Sequence, residues 1–358
     1  MIRVKNIYHM LSYAFQVLNQ GSYSTITAEE FEHPHDLLAV ILGKGIFNQI
    51  RRGLGREYVC RSDELTRPVG KMSIPESIKR QTLINKKLVC EFDEFTENTY
   101  LNQILKTTTH LLLRSSDVGK SRKYTLKKVL LHFHNVDDLN PYRIQWTGIK
   151  YHRNNSTYKM LINICYLVIK GMLLSEKDGN QDLYQYTDDQ YMHRLFEKFV
   201  LEYYRKHYPE LSVKASNIGW DTDDGIIEFL PTMRSDVTIE YAGRTLIIDT
   251  KYYSNMMQVH TLYNTRSQHS SNMYQIYTYV KNRDKEDSGN VSGVLLYAKT
   301  DEEITPDNDY MLGGNRISVK TLDLNTEFSN IQEHLHLLIT SFYPELDKIE
   351  NFKAISSS

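Results

Sequence analysis

The sequence predicts an α/β protein of two domains. An α+β N-terminal half precedes a C-terminal half whose elements run helix, three strands, helix, strand around a mixed sheet (αβββαβ). Three observations carry this. The chain has 358 residues, enough for two cores of ordinary size. Apolar spacing is helical through most of the first half, interrupted by a punctuated, strand-like stretch at 55–95, whereas the second half alternates helix and strand patterns. The polar run "SEKDGNQD" at 175–182 places the boundary near residue 180, giving domains 1–180 and 181–358.

In the first half, Asn6 is the expected N-cap of a helix with Ile7, Met10, Leu11, Ala14, Val17 and Leu18 on one face. A second helix starts near Asp36 and carries Leu37, Leu38, Ile41, Leu42 and Ile46. Pro68, Gly70 and Pro75 punctuate the strand-like stretch, and helical spacing returns at 96–115 and 155–175. In the second half, a helix at 188–208 bears the stripe Leu195, Phe196, Phe199, Val200 and Tyr203. A strand near 212, a hairpin at 234–252, a helix at 270–282 and the buried strand "VSGVLLYAK" at 291–299 follow. There is no internal repeat and no low-complexity segment.

Composition narrows the function classes. Hydrophobic residues make up 41% and charged residues 24%, as in a soluble globular chain, and no run reaches the roughly 18 apolar residues a bilayer span needs. The start, "MIRVKNIYHMLSYAF", interrupts its apolar stretch with Tyr8, His9 and Ser12 and lacks a small-residue cleavage site, so no signal peptide is expected. Cys60, Cys90 and Cys165 form neither a disulfide framework nor a zinc knuckle, which suits a reducing cytoplasm. A net charge of -1 gives no global signal for nucleic acid, so any DNA contact must come from local patches. The pattern G-x-x-x-x-G-K-[ST] is missing: "GKG" at 43–45 and "GKMS" at 70–73 lack its spacing, and no unaided nucleoside triphosphate binding is expected.

The chemistry concentrates in "RSDVTIEYAGRTLIIDTKYY" at 234–253. Strand alternation puts Ile247, Asp249 and Lys251 on one face. With Ala242-Gly243 as the turn centre, Tyr241 opposes Arg244, and counting back sets Asp236 across from Asp249, with Cβ atoms about 5 Å apart. Two carboxylates so placed repel unless a cation lies between them. Mg²⁺ takes one or two carboxylates, waters and a substrate phosphate, and it lowers the pKa of a bound water. Lys251 would orient the attacking hydroxide or stabilise the negative transition state. The competing reading is a surface ion pair at a solvated hairpin end. Gln275 and Tyr279, four apart in "YQIYTY", share a helical face and can hold a water or a phosphate oxygen. Glu197 and Glu202 flank the upstream apolar stripe as candidate metal ligands, against their reading as solvated glutamates.

Asp236, Asp249-Thr-Lys251 and Gln275-x-x-x-Tyr279 together resemble the PD-(D/E)xK nuclease superfamily, in its branch with a Q-x-x-x-Y motif, although the proline of that name does not precede Asp236 and Pro231 lies five residues earlier. The segments "IRVKNIYHMLSYA", "RRGLGREYVCRSDELTRPVGKMSIPESI" and "LPTMRSDVTIEYAGRTLIIDTKYY" are similar to the McrC family, the nuclease subunits of McrBC modification-dependent restriction systems. The resemblance implies a Mg²⁺-dependent DNA endonuclease with Asp236 and Asp249 as metal ligands and Lys251 as the third catalytic residue. Gln275, Tyr279 and the glutamates follow with less weight. It further implies that residues 1–180 dock on a McrB-like AAA+ GTPase or ATPase and stimulate it. Duplex cleavage needs two hydrolytic centres and this chain offers one, so two copies of residues 180–358 are expected to pair when DNA is cut. The rival is a noncatalytic adaptor that activates such a motor and keeps the nuclease fold only as a dimerisation module.

Other features are read as structural. His132 and His134 in "LHFHN" share a strand face without a third ligand, and His334 and His336 fall on a helical pattern as surface residues. Arg114, Lys120, Arg122, Lys123, Lys127 and Lys128 read as a solvated loop, with phosphate tracking or an acidic partner as the alternative. The 26 tyrosines exceed ordinary usage without an evident reason.

Overall fold

The computed structural model describes residues 2–19, 23, 26, 31, 33–151, 156–178, 189–252, 257–260, 265–268, 270–299 and 305–347. No helix among them is long and apolar enough to cross a membrane. The chain forms two compact units, residues 1–30 with 178–358, and residues 31–177. The division is therefore discontinuous, unlike the single boundary expected near 180, and residues 179–188 of the polar linker lie outside the description.

The first thirty residues join the C-terminal unit for a physical reason. Helix α1 (Val4–Ala14) packs on a helix near residue 200, where Tyr13 Oη lies 2.7 Å from His207 Nε2. Asn6 is not the cap, which is Arg3. Its buried side-chain amide instead donates to the carbonyls of Leu324 (2.9 Å) and Thr326 (2.8 Å), which ties the N-terminus to the far end of the chain.

Residues 31–177 begin with α2 (Pro34–Arg52), which has Pro in its first turn, Asp36 near its N-terminus and Arg51 and Arg52 near its C-terminus, as backbone geometry and the helix dipole favour. Leu37, Leu38, Ile41, Leu42 and Ile46 are all buried. The strand-like stretch becomes β1 (Glu57–Leu65), β2 (Lys71–Met72), the short α3 (Ile74–Lys79) and β3 (Leu88–Thr96). These strands form an antiparallel sheet in the order β1-β3-β2. Almost all of β1 is exposed, and Tyr58, Val59 and Phe95 show apolar surface to solvent. Helix α4 (Tyr100–Arg114) is capped by the Thr99 hydroxyl. The basic cluster expected as a loop lies mostly on α5 (Lys120–Leu130), and His132 and His134 sit in and just after a short 3-10 turn rather than on a strand. Helix α6 (Ser156–Asp178) closes the unit.

In the other unit, α7 (Asp189–His207) leads to β4 (Ser212–Lys214), β5 (Asn217–Ile218), β6 (Met233–Arg234), β7 (Val237–Tyr241) and β8 (Arg244–Lys251). A small hairpin, β9 (Met257–His260) with β10 (Thr265–Gln268), precedes α8 (Ser270–Arg283) and β11 (Val291–Ala298). Strands β12 (Asn308–Leu312) and β13 (Asn315–Leu322) follow, beyond the elements read from sequence, and then helix α9 (Phe328–Phe342), where the helical pattern at His334 and His336 lies. The main sheet runs β12-β13-β11-β8-β7-β4. It is mixed, as expected: β8 is parallel to β11 and antiparallel to β7.

Helix α8 covers one face, packing Ile276, Tyr279 and Val280 against Ile247, Leu295 and Ile317. A Cβ at Gly293 would stand 2.7 Å from Ile276 Cγ1 and 2.8 Å from Val280 Cγ2, so only glycine lets α8 approach this closely. On α9, His334 is exposed, but His336 is half-buried and lies 2.8 Å from Tyr208 Oη, which corrects its reading as a surface residue.

Candidate functional site

The β7–β8 hairpin turns through Ala242 (φ 48°) and Gly243 (φ 76°), both left-handed as a two-residue type I′ turn requires. That turn fixes the register, with Tyr241 opposite Arg244 through to Val237 opposite Ile248. Asp236 lies one step beyond the last pair, in position to face Asp249. It precedes β7 in a bend, however, and its Oδ2 accepts hydrogen bonds from the Thr250 amide (2.7 Å) and hydroxyl (2.8 Å).

Strand β8 runs from the fully buried Ile247 and Ile248 into Asp249, and the competing reading of a solvated hairpin end fails here. Asp249 is 2% exposed and Lys251 6%. Their ion pair, Nζ to Oδ2 at 2.7 Å, lies in the sheet between β7 and β11. Desolvating two such charges costs several kcal/mol per ion, which their mutual attraction offsets only in part. Burial raises the Asp249 carboxyl to about 6; Lys251 opposes the shift and the Asp236 charge adds to it. Asp249 Oδ2 is buried and, apart from this ion contact, receives no hydrogen bond of acceptable geometry.

Lys251 Nζ also donates to Gln275 Oε1 (3.0 Å), and Gln275 Nε2 donates to Tyr279 Oη (2.9 Å). The four-residue spacing on α8 stacks Gln275 and Tyr279 on successive turns, so the helix delivers both to one line. Asn272 Nδ2 bonds the Tyr297 hydroxyl (2.9 Å) and pins the first turn of α8 to β11. The structure thus joins Asp249, Lys251, Gln275 and Tyr279 in one polar chain.

The two upstream glutamates part company. Glu197 is half-buried, and burial together with the Asp236 charge holds its carboxyl above the usual range. Glu202, five residues on, takes Lys198 Nζ at 2.6 Å and Arg205 Nη1 at 2.9 Å along the helix surface, away from this group. His193 is a residue the sequence reading missed. It lies close to the Thr250 backbone and to the charges of Asp236 and Lys251, and burial lowers its pKa. Its signal was the spacing in "HRLFE": His193 and Glu197 are one turn apart on α7. Asp236 thus holds Thr250, which lies between Asp249 and Lys251 on β8, through both its amide and its hydroxyl.

Among the described residues no three His, Cys, Asp or Glu side chains converge as a closed metal cage. Two nearby carboxylates, one of them a buried aspartate with a single lysine as its counter-charge, instead fit an ion that completes its shell with water and a substrate phosphate.

Comparison with known proteins places the chain in a lineage. The family model described as "McrBC 5-methylcytosine restriction system component" matches residues 4–298. A relative from Escherichia coli (strain K12), the "Type IV methyl-directed restriction enzyme EcoKMcrBC", is 25% identical over 338 residues, covering 93% of this chain and 96% of the relative. Among solved structures, a chain of the half-complex from the tetradecameric assembly of Thermococcus gammatolerans McrB AAA+ hexamers with bound McrC aligns with a TM-score of 0.47 at 15% identity, covering 94% of this chain and 76% of that one. A chain of the Thermococcus gammatolerans McrBC complex aligns with a TM-score of 0.37 at 16% identity over 51% of this chain and 59% of that one.

Proposed function

The chain belongs to the McrBC 5-methylcytosine restriction system component family, and from that premise we propose that it is the nuclease subunit of such a complex, a Mg²⁺-dependent endonuclease acting on methylated DNA. One observation carries the reading: the buried Asp249–Lys251 pair on β8, with Asp236 one pairing step away. A purely structural sheet gains little from burying these charges, because apolar residues of similar volume are often as stabilising or more so.

Asp236 and Asp249 would hold the ion, which when bound acidifies a water and draws charge from the phosphodiester. Lys251 acts from a fixed position. Asp249 and Gln275 hold its ammonium group, so it meets the charge developing on the phosphate without reorganising. Tyr279 accepts from the Gln275 amide and keeps the Gln275 carbonyl turned toward Lys251. Glu197 borders the site as an acidic neighbour of Asp236, and His193 lies beside Asp236 and Lys251.

Nucleotide hydrolysis falls to an AAA+ GTPase or ATPase partner, since the sequence holds no phosphate-binding loop. Residues 31–177 supply the docking surface, with the exposed β1–β3 sheet as the element that meets the motor. Within it Arg61 is paired with Glu94 (2.6 Å). Two hydrolytic centres are needed for a double-strand break, so two copies of the nuclease unit pair during cutting, through a symmetric interface. The test is co-purification of the chain with its motor partner, followed by cleavage assays with and without Mg²⁺ on methylated and unmethylated duplexes. Mg²⁺-dependent cutting of the methylated duplex is expected; a complex that assembles yet never cuts would favour the adaptor.

A further inference from the structure

Helix α5, with the sequence KSRKYTLKKVL, carries five cations and no acid, in a chain whose net charge is -1. Leu126 and Val129 are buried, and Leu126 and Thr125 pack beside Gly43 of α2, so the inner face of α5 is committed to the unit's core. Lys120, Lys123 and Lys127, spaced i, i+3 and i+7, line one side of the helix over roughly 10 Å. Tyr124 stands exposed beside them, with Lys128 Nζ 4.4 Å from its ring centroid. Arg122 faces Asp36, but among the described residues no acid pairs with Lys120, Lys123 or Lys127. Lys120, Arg122 and Lys123 crowd the start of the helix, at the positive end of its dipole, where stability alone would place acids.

We propose that this face of α5 binds the sugar-phosphate backbone of DNA without regard to sequence. The proposal rests on the reading of DNA as substrate and extends it by giving residues 31–177 a DNA contact of their own, separate from the nuclease centre. Four of the five cations are lysines, compact point charges suited to phosphates, whereas a carboxylate surface selects the arginine fork. A membrane surface is the poorer match, because the apolar side of the helix is already buried. The exposed tyrosine beside the lysines fits a sugar or base edge.

The experiment measures anisotropy of a fluorescein-labelled unmodified duplex with the full-length chain in EDTA, across KCl concentrations. Replacing Lys120, Lys123 and Lys127 together by Ala should weaken binding and lower the slope of log K against log salt by about 2 to 3. The triple Arg variant should retain both, which separates loss of charge from loss of fold. An unchanged slope in the Ala variant, or the absence of salt-dependent binding by the wild-type chain, overturns the proposal. So does an Ala variant that loses the motor partner but keeps its DNA affinity, which would assign the face to an acidic protein. Because binding is read without metal, failure of the nuclease reading would appear separately, as absent Mg²⁺-dependent cleavage.

Discussion

Asp249 sits where burial, a lysine and a second carboxylate pull its proton in opposite directions, and the balance leaves it at about 6. That sets a pH window. The folded chain holds this proton more tightly than the unfolded chain, whose carboxyl titrates near 3.8, so the contribution to stability is fully present at low pH. It fades as pH rises from about 4 through 6 and stays lost above. A divalent ion binds only the ionised form and should restore stability where the proton no longer does. Thermal melts should therefore show a Mg²⁺-dependent rise in Tm at pH 7.5 that vanishes by pH 5, and Asp249→Asn should remove it. An equal rise at both pH values would contradict the assignment. The two ends of the polar chain should also respond differently. Lys251→Ala strands a buried carboxylate, lowers stability by about 3 kcal/mol and abolishes cutting. Tyr279→Phe removes one hydrogen bond, costs about 1 kcal/mol and slows cutting while the complex still assembles. Denaturant melts paired with cleavage rates distinguish the two. Three of the 26 tyrosines also acquire a physical account at this scale. Tyr8, Tyr204 and Tyr343 are buried and donate to the carbonyls of Leu18, Leu335 and Ile239, closing junctions between elements with one polar atom each.

Elements were legible where the signal was local. Ala242-Gly243 with alternating apolar residues on either side sufficed for the hairpin and its register, and the four-residue spacing placed Gln275 and Tyr279 on one helix face. The depth of Asp249 and Lys251 was not legible, because β11 and α8, which lie later in the chain, bury them. Helix α5 was mistaken for a loop because Leu126 and Val129 are its only buried side chains, too few to print a period. The dependence of the site on α8 gives a prediction at this scale. Gly293→Ala forces Ile276 and Val280 outward, costs about 1 to 3 kcal/mol and draws Gln275 from Lys251. Cleavage measured well below the melting temperature should fall further than the loss of folded protein explains. Cleavage that tracks folded fraction alone would show that α8 only supports the sheet.

Across the whole molecule, the discontinuity of the unit formed by residues 1–30 and 178–358 is what the sequence concealed. Asn6 contacts carbonyls more than 300 residues away, and no local pattern announces such a bond. A fragment beginning at residue 181 therefore lacks α1 and uncovers the α7 surface around Phe199 and Tyr203 on which Tyr13 packs. It should be several kcal/mol less stable than a chain in which a long Gly/Ser linker replaces residues 31–177. Equal denaturation midpoints for the two would refute the role given to α1. The division of labour between units is tested most directly in the assembled complex, by recording DNA cleavage and nucleotide hydrolysis side by side for the wild-type chain and for Asp249→Asn. The account predicts that the variant still stimulates the motor's hydrolysis normally while cleavage of methylated DNA falls by at least about 1,000-fold; wild-type cutting by the Asp249→Asn complex would contradict it.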